Sequence, residues 1–155
     1  MTVIERFMDY VTYETTSDEQ SSTCPSTACQ KILGQRLAED LRAVGLSDAA
    51  MDGNDYVYGH LPATPGYENV PKIGLIAHMD TSPDVSGKNV KPRIITYDGT
   101  NASMLEDKFL GKEMIVGDGT TLLGADDKAG YMKLSSCMED ASIKVVSSAS
   151  TASSA

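Results

Sequence analysis

The sequence is poor in basic residues and has no long apolar run. Its 155 residues contain 13 Lys and Arg against 22 Asp and Glu, which gives a formal net charge of −9. This excess of acid argues against nucleic acid and anionic membranes as partners. No apolar stretch reaches the about 18–20 residues that cross a bilayer, and the N-terminal residues lack the basic-then-apolar pattern of a signal peptide. These absences predict a cytoplasmic protein that binds no membrane.

Paired cysteines and nucleotide-binding motifs are also missing. The three cysteines, Cys24, Cys29 and Cys137, form no Cys-x-x-Cys pair, so neither a disulfide framework nor a zinc finger is predicted. The glycines around Asp118 have the wrong spacing for either phosphate-binding motif, and no Gly-Lys-Ser/Thr follows them. The chemistry of this chain must therefore lie in other residues.

Helical signals occupy the first third of the chain. Thr2 and Glu5 have the spacing of a capping box, which predicts a first helix over about residues 3–13. Pro25 and an apolar periodicity that stops before Gly45 predict a second and longer helix, with Gly45 as its C-cap. Strand signals follow, and this order favours an α/β core.

Two strand signals come next. The turn-forming residues 52–55 separate residues 49–51 from residues 56–58, a pattern typical of a hairpin. The apolar run from Ile73 then predicts a strand that is buried on both faces, as in a parallel sheet. Ligand sites of open α/β sheets lie just beyond the carboxyl ends of such strands.

A histidine and an aspartate stand at the end of the Ile73 strand. His78 and Asp80 are two residues apart, so in an extended segment their side chains share one side. One of them can bind a metal while the other orients it, because a ligating imidazole donates its second N–H to a partner such as a carboxylate.

A second acidic motif follows in the segment 118–130. Asp126 and Asp127 are adjacent in a loop of small residues, just before a possible helix. Either carboxylate has two oxygens and could bridge two cations. Zinc accepts His and Asp together, whereas magnesium and calcium prefer oxygen ligands alone. A His ligand with a bridging Asp is half of a two-metal hydrolase site.

Each candidate residue has a simpler structural interpretation. An isolated His78 would more often be a core histidine, but Asp80 and Asp126 favour the ligand role. His60 lies in a predicted strand without an acidic neighbour in sequence and is expected at the surface. The remaining polar side chains are expected to cap turns or to form a solvated ion pair: Asp84 and Asp127 in the first role, Lys128 with Asp127 in the second.

These motifs resemble the N-terminal part of the peptidase T family of co-catalytic zinc exopeptidases. The His-Met-Asp-Thr core at residues 78–81 indicates only the wider clan, which also holds deacylases. Its extension through residues 82–92 points to peptidase T, and so do residues 15–19 and 118–130. The resemblance covers about residues 1–130 and fails beyond Gly130.

The resemblance implies a fold, a site and an activity. The fold is α/β: a partial zinc-exopeptidase catalytic domain with a mixed, largely parallel sheet flanked by helices. His78 and Asp126 are implied metal ligands, and Asp80 is the catalytic residue that supports His78. The family uses two Zn²⁺ ions to release the N-terminal residue of tripeptides. Small peptides are the implied partners, and a homodimer is implied only for the full-length family member.

The segment beyond Gly130 departs from the family. The family's catalytic glutamate and its remaining metal ligands find no match here, and Glu139 lacks the expected Glu-Glu strand context. Residues 1–130 are therefore expected to form part of the catalytic domain and 131–155 a divergent, disordered tail, with 141–155 irregular and exposed. An incomplete, inactive fragment is the expected form. The alternatives are another metallopeptidase or deacylase of the clan, or a non-enzymatic fragment.

Overall fold

The computed structural model describes residues 1–101, 107–139 and 147–150, with side chains undescribed for 134–139 and 147–150. The expectations for Cys137 and Glu139 fall among these undescribed side chains. The described helices and strands are, in chain order, α1 (Val3–Tyr10), α2 (Gln30–Ala43), β1 (Ala50–Met51), β2 (Val57–His60), β3 (Ile73–Leu75), β4 (Arg93–Thr96), β5 (Glu113–Val116), α3 (Ala125–Glu139) and β6 (Ser147–Ser150).

Helix α1 begins with the predicted capping box. The Thr2 hydroxyl accepts the Glu5 N–H at 3.2 Å, and the Glu5 carboxylate accepts the Thr2 N–H at 2.7 Å. The helix ends at Tyr10, about one turn earlier than predicted. The N–H groups of Thr12 and Tyr13 bond to Asp9 and Tyr10, three residues back, so the α-helical spacing is lost there.

Helix α2 ends as predicted at a glycine. Gly45 has φ +104, its N–H donates to Arg42 O at 3.0 Å, and the Leu46 N–H donates to Leu41 O at 3.0 Å. These bonds form a Schellman motif, in which glycine is favoured because it adopts positive φ without strain. The helix begins at Gln30 and not near Pro25.

The larger sheet has the strand order β1-β2-β6-β3. The predicted hairpin is present, with β1 antiparallel to β2 and Met51 opposite Val57. Strand β6 is antiparallel to β2 and parallel to β3. The sheet is therefore mixed, as expected, but a largely parallel sheet is not confirmed, since the described part has one parallel pairing. Strands β4 and β5 form a separate antiparallel pair.

The expectation of an irregular tail is wrong for residues 147–150. This segment forms β6 between β2 and β3, with Ser148 opposite both His60 and Gly74. Backbone N–H and C=O groups of two flanking strands are strong partners for any extended segment, and they outweigh the weak β-propensity of Ser and Ala. Helix α3 likewise continues past Gly130 to Glu139. The rest of the predicted tail lies outside the described residues.

Strand β3 has no buried residue, since Ile73 and Gly74 are exposed and Leu75 is half-buried, and this corrects the prediction of burial on both faces. Buried residues begin only after the strand, on one side of the chain. Ala77 and Met79 are buried in the main core, whereas Ile73 is 57% and Ile76 65% exposed. Ile76, His78 and Asp80 alternate with the buried residues, so the two candidate site residues lie on the more open side of the segment.

The main core lies between α2, the sheet and α3. Its buried members are Tyr10, Leu33, Leu37, Ala38, Leu41, Leu46, Ala49, Val57, Ala77, Met79 and Tyr131. The rings of Tyr10 and Tyr131 meet edge to face at 5.7 Å, which joins α1 to α3. Cys24 and Cys29 are free thiols. No helix in the described ranges is long and apolar enough to cross a membrane.

Candidate metal centre

His78 and Asp80 lie just beyond the carboxyl end of β3. The Nδ1 atom of His78 lies 3.1 Å from the backbone oxygen of Asp80 and 3.2 Å from its Oδ1 atom. Both neighbours are acceptors, so Nδ1 carries a proton, and Nε2 is the nitrogen left for a further contact. The pairing of His78 with Asp80 is the arrangement that the spacing predicted.

Asp126 approaches the same histidine from the start of α3. Asp126 and Asp127 have non-helical backbone angles, so the regular helix begins after them. The Oδ1 atom of Asp126 lies 3.1 Å from His78 Nε2, and the Asp126 side chain is 95% exposed. The two residues, 48 positions apart in sequence, thus meet at one place in the fold. Their role as metal ligands remains a prediction.

The site favours a charged imidazole in the absence of metal. Partial burial lowers the pKa of His78, but the hydrogen bond to Asp126 and the charge of Asp80 outweigh it, so the pKa is raised above its ordinary value. A metal ion bound at Nε2 of His78 would replace the proton that the charged imidazole carries on that nitrogen.

The donor atoms fit zinc in kind and spacing, but the set is small. Zinc binds imidazole nitrogen and carboxylate oxygen at about 2.0–2.2 Å, and donors 3.1 Å apart, such as His78 Nε2 and Asp126 Oδ1, can share one ion. Catalytic zinc usually has three protein ligands. Within residues 1–101, 107–139 and 147–150, no group of three or more His, Cys, Asp or Glu side chains could hold a metal.

Most residues with a simpler structural interpretation have the environment that this interpretation predicts. His60 is exposed on β2 and pairs with Asp48, with 2.6 Å between Nδ1 and Oδ2. Asp84 accepts the Ser82 hydroxyl at 2.7 Å, and Asp127 accepts the Gly130 N–H at 3.0 Å. Both aspartates therefore serve local turns, as expected.

The burial and the hydrogen-bond partner of Lys128 contradict the prediction for this residue. It was expected in a solvated ion pair with Asp127, but it is only 3% exposed, and its Nζ donates to Tyr13 O at 2.8 Å. Burial lowers the pKa of Lys128 to about 8. The sequence carried no signal for this contact, because the acceptor is a backbone oxygen 115 residues away.

Comparison with known proteins identifies the class of fold. No protein-family model matches the chain. A tripeptidase from Staphylococcus aureus subsp. aureus has a similar crystal structure, with a TM-score of 0.62 and 25% identity over 96% of this chain and 35% of that one. An aminopeptidase PepT from Bacillus cereus gives a TM-score of 0.64 at 22% identity, with the same coverage. The chain therefore has an α/β fold of the kind found in these exopeptidases.

Relatives found by sequence narrow the comparison to one family of peptidases. Peptidase T from Caldanaerobacter subterraneus is 47% identical over 152 residues, and peptidase T from Clostridium acetobutylicum is 47% identical over 147 residues. These alignments cover 88% and 85% of this chain. The predicted resemblance to the peptidase T family is confirmed. The chain spans about 37% of the length of the first of these relatives and 36% of the second.

Proposed function

We propose that this chain carries part of the metal site of a peptidase T-type aminopeptidase, which releases the N-terminal residue of tripeptides with two zinc ions. The observation that carries the proposal is the contact between His78 Nε2 and Asp126 Oδ1, 3.1 Å apart, with Asp80 on the other nitrogen of His78. The relatives named peptidase T support the same activity.

Each of the three side chains has a distinct task in this proposal. His78 binds metal through Nε2, because its Nδ1 faces the two oxygens of Asp80. Asp80 fixes the tautomer and the ring orientation of His78. Asp126 supplies a carboxylate whose second oxygen is free to reach another ion, since the side chain is 95% exposed.

A bound zinc ion supplies Lewis acidity and lowers the pKa of a bound water. The described residues hold two donors for it, and no third His, Cys, Asp or Glu side chain among them completes a metal-binding group. A complete site therefore needs further groups, which the longer relatives have the length to provide. We propose small peptides as the partners, a cytoplasmic location, and a homodimer only for the full-length family member.

A non-catalytic form of this chain is the second candidate. The observation that favours it is the donor set of two residues, which is below the three of catalytic zinc sites. The two candidates share the His78–Asp126 metal site and differ in turnover.

Zinc binding tests the proposed site directly. We expect the metal-free chain to bind Zn²⁺ weakly, and His78→Ala and Asp126→Asn to lower the affinity by more than about tenfold, because each removes one of two donors. Competition against a chromogenic zinc chelator, followed by absorbance, gives the dissociation constants.

His60→Ala is the matched control. His60 is the other histidine of the chain and also pairs with an aspartate, but it lies on β2 beside Asp48. Its replacement should leave the zinc affinity unchanged. Equal affinities for the parent and His78→Ala, or a loss confined to His60→Ala, would refute the proposed site.

A further inference from the structure

We infer that Lys128 is a positioning residue that fixes the distance between His78 and Asp126 by anchoring the Asp126 loop to the backbone of residues 13–17. We call residues 13–17 the anchor segment. The positioning role of Lys128 rests on the proposed metal site, but the contacts that carry the inference are present without a metal.

The anchor segment holds the His78 side of the site through Thr81. Thr81 donates its N–H to Thr15 O at 3.0 Å. Thr81 O accepts both the N–H and the hydroxyl of Ser17, at 2.9 and 3.0 Å. Thr81 is 4% exposed and follows Asp80 directly, so these bonds fix the end of the segment that carries His78 and Asp80.

Lys128 holds the Asp126 side to the same segment. Its Nζ donates to Tyr13 O at 2.8 Å, two residues before the oxygen that accepts from Thr81. The two site loops also touch each other, because a Cβ at Gly124 would lie 2.9 Å from Thr81 Cγ2 and 3.6 Å from Lys128 Nζ. One short stretch of backbone thus locates both metal ligands.

The stability of the fold alone does not account for a lysine at this position. A buried ammonium loses its hydration, and an apolar side chain of similar size is often as stable or more stable in such a place. Methionine would fill the same space but could not bond to Tyr13 O. The charge-assisted hydrogen bond of Lys128 therefore fixes the position of the Asp126 loop relative to Tyr13, which apolar packing alone would not do.

The test measures the His78–Asp126 contact in the metal-free chain. We compare the imidazole ¹⁵N chemical shifts of His78 at one fixed pH in the parent, in Lys128→Met and in Asp126→Asn. We expect Lys128→Met to move the Nε2 shift toward the value seen in Asp126→Asn. Ser17→Ala, which removes only the hydroxyl bond to Thr81, should move it in the same direction by less.

Tyr131→Phe is the control for a merely structural effect. It also removes a buried hydrogen bond of α3, from the Tyr131 hydroxyl to Leu37 O at 3.0 Å, but away from the site. We expect it to lower the unfolding temperature and to leave the His78 shifts as in the parent. A His78 shift in Lys128→Met and Ser17→Ala that equals the parent value would overturn the inference.

Zinc affinity provides the second readout. Loss of a residue that orients a metal ligand costs about 10–100-fold in affinity, so Lys128→Met should weaken Zn²⁺ binding by that factor and Tyr131→Phe should not. If the parent binds no zinc, the proposed metal site fails, while the chemical shifts still decide whether Lys128 positions Asp126.

Discussion

At the residue scale, the most unusual environment outside the site is that of Asp55. Its side chain is fully buried in the turn between β1 and β2, and within the described residues neither carboxylate oxygen has a hydrogen-bond partner. It lies against α2 at Gly34, where a Cβ would collide with it. Burial raises the pKa of Asp55 from 3.8 to about 6, a shift that the charge of Lys31 partly opposes.

This raised pKa makes the fold more stable in mild acid. The folded chain holds the Asp55 proton up to pH of about 6, whereas the unfolded chain releases it near 3.8, so the stabilisation is complete below 3.8 and is lost as the pH rises through about 6. We expect Asp55→Asn to be more stable than the parent at pH 7 by about 1–3 kcal/mol. Urea unfolding at pH 4.5, 5.5 and 7 measures this difference.

Glu19→Gln is the control for the general effect of removing one negative charge. Glu19 is exposed, so this change should give a small stability difference. A parent and an Asp55→Asn variant with parallel stability curves from pH 4.5 to 7 would show that Asp55 is not buried as described.

Single residues also show what the sequence can predict of the site. The meeting of His78 with Asp80 follows from the two-residue period of an extended chain, and it is present. The contact of His78 with Asp126 was expected from the family resemblance, which implies a shared metal site, and the two side chains do meet. The burial of Lys128 and Asp55 was not predictable, because it depends on backbone from distant parts of the chain that no local pattern encodes.

At the scale of elements, the C-terminal end of α2 provides a measurable contribution to stability. Gly45 has φ +104, and a Cβ there would meet no atom within 4 Å. The cost of Gly45→Ala is therefore conformational and not steric, and we expect about 1 kcal/mol of destabilisation. Thermal or urea unfolding of the variant gives this value.

Gly53→Ala is the matched control for Gly45→Ala. Gly53 also has open space at its Cβ position, and it does not have positive φ. Its replacement should be neutral or slightly stabilising, since alanine reduces the conformational entropy of the unfolded chain. Equal destabilisation by both changes would contradict the conformational explanation for Gly45.

The same elements show where sequence patterns succeed and fail. The capping box of α1 and the glycine at the end of α2 are local signals, and both are present. Strand β6 was missed because its Ser-Ser-Ala-Ser sequence has neither apolar alternation nor β-branched residues. Its position depends on backbone groups offered by β2 and β3, which a sequence pattern does not record.

At the scale of the whole molecule, the proposed metal site has two donor residues within the described ranges, fewer than the three protein ligands usual for catalytic zinc. We expect the purified chain, incubated with excess zinc and an unblocked tripeptide, to show no appreciable turnover. Zinc held by one His and one Asp binds weakly, and a missing general base alone costs about 10²–10⁴ in rate. Release of the free N-terminal amino acid, measured by chromatography, checks this.

Repurification and the His78→Ala variant control for a contaminating peptidase. The variant should show the same low background rate of hydrolysis as the parent. Turnover that survives repurification and disappears in His78→Ala would mean that this chain, or a second copy of it, provides the base and the remaining ligands. The proposal of an incomplete site would then be wrong.

The bond between Lys128 and Tyr13 also bears on the order of folding. It closes a loop between positions 115 apart in sequence. Such a closure has a high entropic cost and comes after local helices and hairpins have formed. We therefore expect the two halves of the proposed metal site to come together late, on a chain that is already collapsed. Zinc bound at the proposed site would then meet a finished framework and, unlike the ion of a zinc finger, would not nucleate the fold.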